Sequence, residues 1–356
     1  MLWFRSYRRR RAPGVGRYLP GLLVLVLGAV VVPSVYGQAA GAFARVGFGA
    51  RGLALGNALV ADGGGAASPY YNPALAPFTA RQNLELSAAL MSFDRELQHV
   101  QFAAPLRPRA GIALGLIHAG VSNIDGRNGS GFHTGDLSVD EFALFMAFGL
   151  RVSDRVTAGV GLQLFRTDLL EALEPVNSVG VDLGLTVQVT EALRLGFVAD
   201  DLLARYAYDT SGTFGDDGKT TTDRFPVRLR LGGAYRLLGG RLLLLAELEN
   251  RINNTELRTE RVVFEDGIPR TVVEEEQLHV RESRLRVGAE YRLAELFLVR
   301  GGLDQVGSDV GGGVRPTAGF FVEQPVGNLR LGAAYTVVLE PYGNGLMHLL
   351  TLRIYL

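Results

Sequence analysis

Five histidines and several carboxylates are the residues of this 356-residue chain whose types suit acid–base or metal chemistry. His133 precedes Asp136 by three residues, and His279 follows Glu276 by three. A hydrolase needs such a pair beside a nucleophile, and neither pair has a recognisable nucleophile partner. The histidines lack the local spacing of a metal site, and the chain has no cysteine. We therefore predict a protein that is not an enzyme and uses no metal or cofactor.

Two further stretches resemble ligand-binding loops. Residues 47–52 fit the G-x-G-x-x-G spacing of a dinucleotide site, but no hydrophobic strand precedes them and no βαβ pattern surrounds them. The loop at residues 123–136 contains acids among glycines, as a calcium loop does, yet Arg127 stands where a ligand oxygen is needed. A solvated outer loop is the better interpretation of this second stretch.

The elements that must position these residues are strands. From Asn83 onward the chain alternates apolar and polar residues in segments of about ten to fourteen residues, the pattern of strands with one apolar face. Within residues 284–292, for example, one face carries Leu285, Val287, Ala289 and Tyr291, and the other carries Arg286, Gly288, Glu290 and Arg292. A soluble sandwich also alternates, but it needs an apolar inner face to bury.

The recurrence of a charged face on strand after strand indicates a membrane barrel instead. In hydrocarbon, backbone groups must be paired within the protein, so strands cross a bilayer only as a closed cylinder. Short connections alternate with mostly longer, polar ones, which places the short turns on the periplasmic side of an outer membrane. The prediction is an all-β, 14-stranded antiparallel transmembrane β-barrel with an N-terminal hatch or plug segment, the barrel spanning residues 83–356. The strands are expected near residues 83–93, 95–105, 109–119, 137–149, 154–166, 178–189, 192–204, 224–237, 240–252, 280–292, 295–304, 313–323, 327–338 and 345–356.

Charged residues on the polar faces of these strands should line the lumen. We expect a polar or plugged interior under any function of the barrel. The predicted lumen charges are Glu85, Asp182, Arg228, Arg230, Glu247, Glu249, Arg286, Glu290 and Arg330.

Residues 1–37 read as a signal peptide for export to the bacterial outer membrane. An arginine-rich start is followed by an apolar run at residues 22–32 and by small residues near Gly37. These 37 residues hold six arginines and no acid, which leaves 30 basic and 36 acidic residues, a net charge of −6. A mature chain of this charge gives no reason to expect nucleic-acid binding. A retained anchor is the competing interpretation, although the run is short for a span.

The segment at residues 38–82 carries a family resemblance. The first part of the pattern consists of Gly49-Ala50-Arg51 followed by Gly56 and Ala58. The second part is Tyr71-Asn72-Pro73-Ala74. These stretches resemble the N-terminal signature of the PorV/PorQ family, relatives of the FadL-type outer-membrane transporters. The signature departs from the family pattern at Ala54, at Gly64 and Gly65, where an acidic pair is usual and Asp62 is displaced, and at Leu75.

The resemblance implies that residues 38–82 fold into the barrel as a periplasmic-side hatch. The hatch signature residues are then Gly49, Arg51, Gly56, Tyr71, Asn72 and Pro73. Glycines permit the close turns of a segment threaded in a lumen, and Arg51 can pair with one of the wall acids Glu85, Asp182, Glu247, Glu249 or Glu290. A flexible periplasmic leader is the alternative.

Two functions remain open. The resemblance implies a PorV-like accessory subunit of the type IX secretion system, which binds cargo or partner proteins through its outer loops. The alternative is FadL-like passive transport of hydrophobic small molecules. The Asp266-Gly267 turn between two β-prone stretches suggests a ribbon beyond the membrane that offers an edge to a partner, and an ordinary long solvated loop is the alternative. Polar loops, with Asp209 and Glu274 to Glu276, favour the secretion role.

Overall fold

The computed structural model describes residues 40–63, 69–169, 174–215, 218–265, 268–307, 313–327, 329–339 and 345–356, with backbone pairing alone for 254–280. The predicted signal peptide, residues 1–37, lies outside these ranges, as does the Asp266-Gly267 turn; the side chains of Glu274 to Glu276 and His279 are likewise not described. Within the described ranges, no helix is both long enough and apolar enough to cross a bilayer.

Fourteen antiparallel strands form a closed barrel, and the predicted fold class is confirmed. The first strand pairs with the last, from Asn83 opposite Tyr355 to Leu90 opposite His348. The barrel strands are β1 (Asn83–Leu90), β2 (Arg95–Leu106), β3 (Ala110–Arg127), β4 (His133–Arg151), β5 (Val156–Asp168), β6 (Val176–Gln188), β7 (Leu193–Leu202), β10 (Val227–Leu237), β11 (Leu242–Glu265), β12 (Ile268–Ala294), β13 (Phe297–Val306), β14 (Arg315–Val326), β15 (Leu329–Leu339) and β16 (Leu346–Tyr355).

The two faces of the wall differ as the alternation predicts. Leucine, valine and phenylalanine side chains such as Leu164, Leu231 and Leu350 are exposed on the outside of the cylinder. Their neighbours along each strand are buried in the lumen, where many are charged. This is the arrangement that hydrocarbon outside and a polar interior require.

Opposite charges face each other across neighbouring strands. In the strand register, Glu247 lies opposite Arg286, Glu290 lies opposite Arg300, and Glu85 lies opposite Arg353. A slip of one residue would turn every one of these charges toward lipid. The ion pairs inside therefore help to fix the register of the wall.

The two ends of the barrel are unequal. The end at which β2–β3, β4–β5, β6–β7, β10–β11, β12–β13 and β14–β15 connect, called the short-turn side here, has connections of a few residues. At the opposite, long-loop side, β11 and β12 pair without interruption from Leu242 opposite Tyr291 to Glu265 opposite Ile268. The two strands therefore run past the predicted ends at 252 and 280 and continue to pair with each other, as the ribbon interpretation of the sequence expects.

A second small sheet covers part of the lumen on the long-loop side. The sequence analysis assigned residues 205–223 to a loop, but β8 (Arg205–Asp209) and β9 (Thr220–Arg224) pair there. Tyr206 and Phe225 are buried, and the Phe225 ring lies 4.9 Å from that of Tyr206 and 4.7 Å from that of Phe165 on β5. Burial raises the pKa of the neighbouring Tyr208 to about 12. The aromatic cluster folds this sheet inward over the lumen.

Candidate functional site

The lumen is filled by the N-terminal segment. Its short helix, Gly49–Ala54, packs against β1 and β13 to β16, and its 3-10 helix, Pro73–Phe78, packs against β2 to β6. Wall side chains satisfy its backbone: Thr336 donates to the Ala50 carbonyl at 2.8 Å, and Thr317 donates to the Ala54 carbonyl at 3.0 Å. The Val60 amide donates to Glu247 at 3.1 Å. A segment seated this way closes the passage through the barrel.

The signature residues each have a structural task in this segment. Asn72 accepts a hydrogen bond from the Ala74 amide at 2.9 Å and donates to the Val60 carbonyl at 2.8 Å, so it caps the 3-10 helix that Pro73 begins. The Tyr71 hydroxyl accepts from the Phe48 amide at 2.8 Å and lies 2.7 Å from Asn57 Oδ1. The motif therefore ties its two halves together.

Gly49 and Gly56 stand where the backbone conformation and the close neighbours disfavour any other residue. Both have positive φ, +66° and +60°, which L side chains rarely adopt. A Cβ on Gly49 would lie 2.3 Å from Glu85 Oε1, and one on Gly56 would lie 2.7 Å from the Leu303 carbonyl oxygen. The tight fit of the segment to the wall depends on these two glycines.

Arg51 holds the segment through two acids. Its Nε lies 3.1 Å from Glu290 Oε2, and its Nη1 lies 2.5 Å from Asp62 Oδ2. Glu290 is one of the five wall acids that the sequence analysis named for Arg51; Glu85 pairs instead with Arg353. Asp62 also pairs with Arg236 at 3.1 Å. Sequence reasoning set Asp62 aside, although it is the only acid within residues 38–82 and so the one local partner for Arg51.

A belt of glycines on the barrel wall lets the backbone of the N-terminal segment come into close contact with the wall. Val60 sits on Gly196 of β7, and Leu55 sits on Gly288 of β12, where an added Cβ would lie 2.3 and 2.5 Å from their carbonyl oxygens. Nine strands each contribute one such glycine, and the sequence analysis missed the belt although the glycines fall on inward faces. The glycine belt comprises Gly111, Gly149, Gly159, Gly184, Gly196, Gly232, Gly288, Gly302 and Gly319.

Six of the predicted lumen charges form a network at the centre: Asp182, Arg228, Arg230, Glu247, Glu249 and Arg286. Arg286 bonds Glu247 at 2.7 Å and Glu249 at 2.9 Å, and Arg230 bonds Asp200 at 2.6 Å. Arg228 lies 2.8 Å from Asp201, and Asp182 accepts from the Asp201 amide at 2.9 Å. Arg330 lies at the short-turn rim, where it lines the inner cavity, is exposed and pairs with Glu323 at 3.1 Å.

Two β-bulges supply acids that sequence reasoning missed. On β7, Asp200 and Asp201 together face Asp182, and on β13, Asp304 and Gln305 together face Arg286. A bulge turns two consecutive residues to the same side, so all four of these side chains are buried in the lumen. The presence of acids in otherwise apolar strands was the sequence signal that could have identified these lumen residues.

The candidate chemistry residues do not assemble a catalytic site among the described residues. His133 lies 2.7 Å from Asp125 rather than beside Asp136, and Arg127 bonds the same carboxylate at 2.5 Å. No group of three or more histidines and acids that could hold a metal occurs in the part of the chain that the structure describes.

Among the described residues, three cavities follow one another along the lumen. The outer cavity, about 200 Å³, opens on the long-loop side above Phe43 and Val46 of the segment. The inner cavity, about 290 Å³, opens on the short-turn side below Arg51. Between them lies a central cavity of only about 20 Å³, lined by Tyr71 and Arg230 among others. The segment therefore separates two open vestibules.

Comparison with solved structures finds barrels of the same fold. The Pseudomonas putida toluene transporter TodX shares 14% identity over 86% of this chain and 96% of its own, with a TM-score of 0.56. The Ralstonia pickettii toluene transporter TbuX shares 16% identity over 86% and 97%, with a TM-score of 0.54. A Pseudomonas aeruginosa FadL homologue shares 14% identity over 86% and 97%, with a TM-score of 0.55.

Comparisons with protein-family models and with curated proteins find no match. Identities near 15% establish a shared fold and leave function to be argued from the site. The chain therefore shares the barrel fold of these transporters, and the resemblance to the PorV/PorQ family stays a prediction.

Proposed function

We propose that the protein is a passive transporter of small hydrophobic molecules across the bacterial outer membrane. The observation that carries this proposal is an amphipathic vestibule closed from below by a plug that is separate from the strand pairing of the wall. The barrel fold shared with two toluene transporters supports the same function. With the short turns in the periplasm, solute enters the outer cavity and leaves by the inner one.

Passage requires the N-terminal segment to move, so we name it the hatch (residues 40–82). The central cavity, about 20 Å³, is too small for any solute larger than water. The hatch is attached to the wall by single hydrogen bonds, such as Ala50 to Thr351 at 3.1 Å and Gly49 to His99 at 3.1 Å, by ion pairs and by buried apolar side chains. These contacts are separate from the hydrogen bonds that pair the wall strands, so local displacement of the hatch needs no unfolding of the barrel.

The secretion role, which the sequence analysis placed first, has one supporting feature. The β11–β12 ribbon extends the wall beyond its neighbours and gives a partner protein two long strands to contact. The fold likeness favours transport, since the similar structures are hydrocarbon transporters. The order of the two functions is therefore reversed.

Uptake of radiolabelled toluene tests the proposal. Cells that express the full chain should show a faster initial rate than cells with an empty vector, and the rate should not depend on an energy source. The same cells provide material for affinity purification. An unchanged rate, together with a secreted protein that co-purifies, would support the secretion role and contradict the transport role.

A further inference from the structure

One buried polar group on the wall of the outer cavity lacks a partner. Gln305 lines the cavity and is 4% exposed, and its Oε1 has no hydrogen-bond partner among the described residues. An amide oxygen accepts hydrogen bonds, and buried amide groups are nearly always satisfied. The cavity therefore offers an acceptor to a solute that carries a hydrogen-bond donor.

The backbone holds this amide in the lumen. Gln305 follows Asp304 in the β13 bulge and has φ of +60°, a conformation that costs energy in a residue other than glycine. Strained conformations of this kind persist where the surrounding structure enforces them, and they concentrate at binding sites. The position of Gln305 is therefore consistent with a role in binding a solute.

The arginines of the cavity wall have carboxylates of the protein as their partners. Arg251 bonds Glu249 at 2.5 Å, and Arg284 bonds Glu282 at 2.6 Å. Because these charges are already balanced, the wall does not require an anionic solute. A carboxylate also has no hydrogen to donate to the Gln305 oxygen.

The charges that flank Gln305 favour a neutral donor over a cationic one. Arg315 on β14 lies opposite Asp304, and Arg284 lies on β12, the other neighbour of β13; both arginines line the cavity. An ammonium group at Gln305 would lie close to these two cations. A hydroxyl group donates without a charge, and because it also accepts, it matches either orientation of the amide.

The opposite side of the cavity is apolar. Met91, Leu97 and Val121 line it, contributed by the β1–β2 connection, β2 and β3. A cavity of roughly 150 Å³ holds benzene, so the outer cavity of about 200 Å³ has room for one ring and a small head group.

We infer that the solute is a neutral molecule of single-ring size that carries one hydroxyl group. Its hydroxyl donates to Gln305, and its ring lies against Leu97 and Val121. A plain hydrocarbon fits the same space but leaves the amide without a partner, so it binds more weakly. This inference rests on the proposed transport function and narrows its substrate class.

Phenol and anisole test the inference, because the methyl group of anisole removes the donor and keeps the ring. Binding to the full chain in non-ionic detergent is measured by isothermal titration at pH 7, with the heat of titration into detergent alone subtracted. We expect phenol to bind at least about tenfold more tightly than anisole, since a site with a buried acceptor discriminates against a ligand that lacks the donor. Benzylammonium tests the cationic alternative, in which Glu141, a half-buried acid that lines the cavity, would be the partner. It should bind more weakly than phenol.

A substitution at Gln305 locates the effect. Gln305→Met keeps the length of the side chain and removes the amide, so phenol affinity should fall at least about fivefold, toward that of anisole. Anisole affinity should stay the same, which also shows that the cavity of the variant is intact. Gln324→Met, at an exposed position near the short-turn end of β14, is the matched control and should change neither ligand. Circular dichroism verifies that each variant is folded.

The outcomes separate this inference from the proposed function. Equal affinity for phenol and anisole, a phenol preference that Gln305→Met retains, tighter binding of benzylammonium, or no binding of any ring compound overturns the hydroxyl inference. Toluene uptake by cells decides the transport function independently of these titrations. If toluene uptake is present, the transport function survives the loss of the inference; if both are absent, both fail.

Discussion

At the residue scale, Arg51 connects the hatch to itself and to the wall. It contacts Asp62 within the hatch and Glu290 on β12, and it is 5% exposed. Each of the two acids retains a second arginine, Arg236 and Arg300 respectively, when Arg51 is removed. The loss should therefore loosen the hatch without leaving a buried charge unpaired.

Arg51→Gln should increase exposure of the hatch and leave the barrel folded. We expect a destabilisation of about 1–3 kcal/mol, expressed as local opening rather than as barrel unfolding. Hydrogen exchange followed by mass spectrometry should show faster exchange in residues 49–56 and unchanged exchange in the wall strands. Arg127→Gln removes an exposed ion pair and serves as control, and its hydrogen exchange should match the wild type. Protection of residues 49–56 equal to the wild type would refute this role of Arg51.

Substitution of single residues in the glycine belt tests whether the hatch is seated closely against the wall. Gly196→Val places a side chain where the Val60 carbonyl lies, and overpacking of this kind costs about 1–3 kcal/mol. The hatch should be displaced, which limited proteolysis detects as new cleavage within residues 40–82. In the control Gly301→Val, the added Cβ meets its nearest atom at 3.8 Å. Identical digestion patterns for both variants would argue against close seating of the hatch.

At the element scale, the strands were predictable and their irregularities were not. Alternation and turn residues located every barrel strand, since each must cross one bilayer with one apolar face. The bulge at Asp200 and Asp201 depends on pairing with Asp182 on another strand, which periodicity along one chain does not reveal. The β8–β9 sheet was missed because Thr220–Arg224 is polar and exposed throughout, with no alternation to detect.

The ribbon of β11 and β12 should be dispensable for the barrel. Its two strands pair with each other beyond Ile252 and Arg281, so its removal leaves the wall hydrogen bonds intact. We expect replacement of residues 254–279 by a short Gly-Ser turn to keep the thermal unfolding temperature and toluene uptake close to the wild type. A variant that folds and has lost uptake would show that the ribbon belongs to the transport site.

At the scale of the whole molecule, the charge network and the cavities of the lumen depend on closure of the strands into a barrel. Because the strands close into a cylinder, every inward charge meets charges from distant parts of the chain, as Glu85 meets Arg353. The sequence analysis recognised the inward charges strand by strand. It did not identify most of their partners, because those depend on register, bulges and the path of the hatch. The three cavities described above lie where the hatch leaves space in the lumen. A local sequence pattern does not predict such spaces.

The central claim is that solute passes through the barrel only when the hatch moves, and a reversible lock tests it directly. The chain has no cysteine, so Ala50→Cys on the hatch and Thr351→Cys on β16, whose parent atoms N and Oγ1 lie 3.1 Å apart, form a unique pair. Toluene uptake is measured after oxidation and again after reduction, with Ala50→Cys alone as control. The account predicts uptake at the empty-vector level in the oxidised pair and recovery on reduction. Undiminished uptake through a barrel shown to be cross-linked would contradict it.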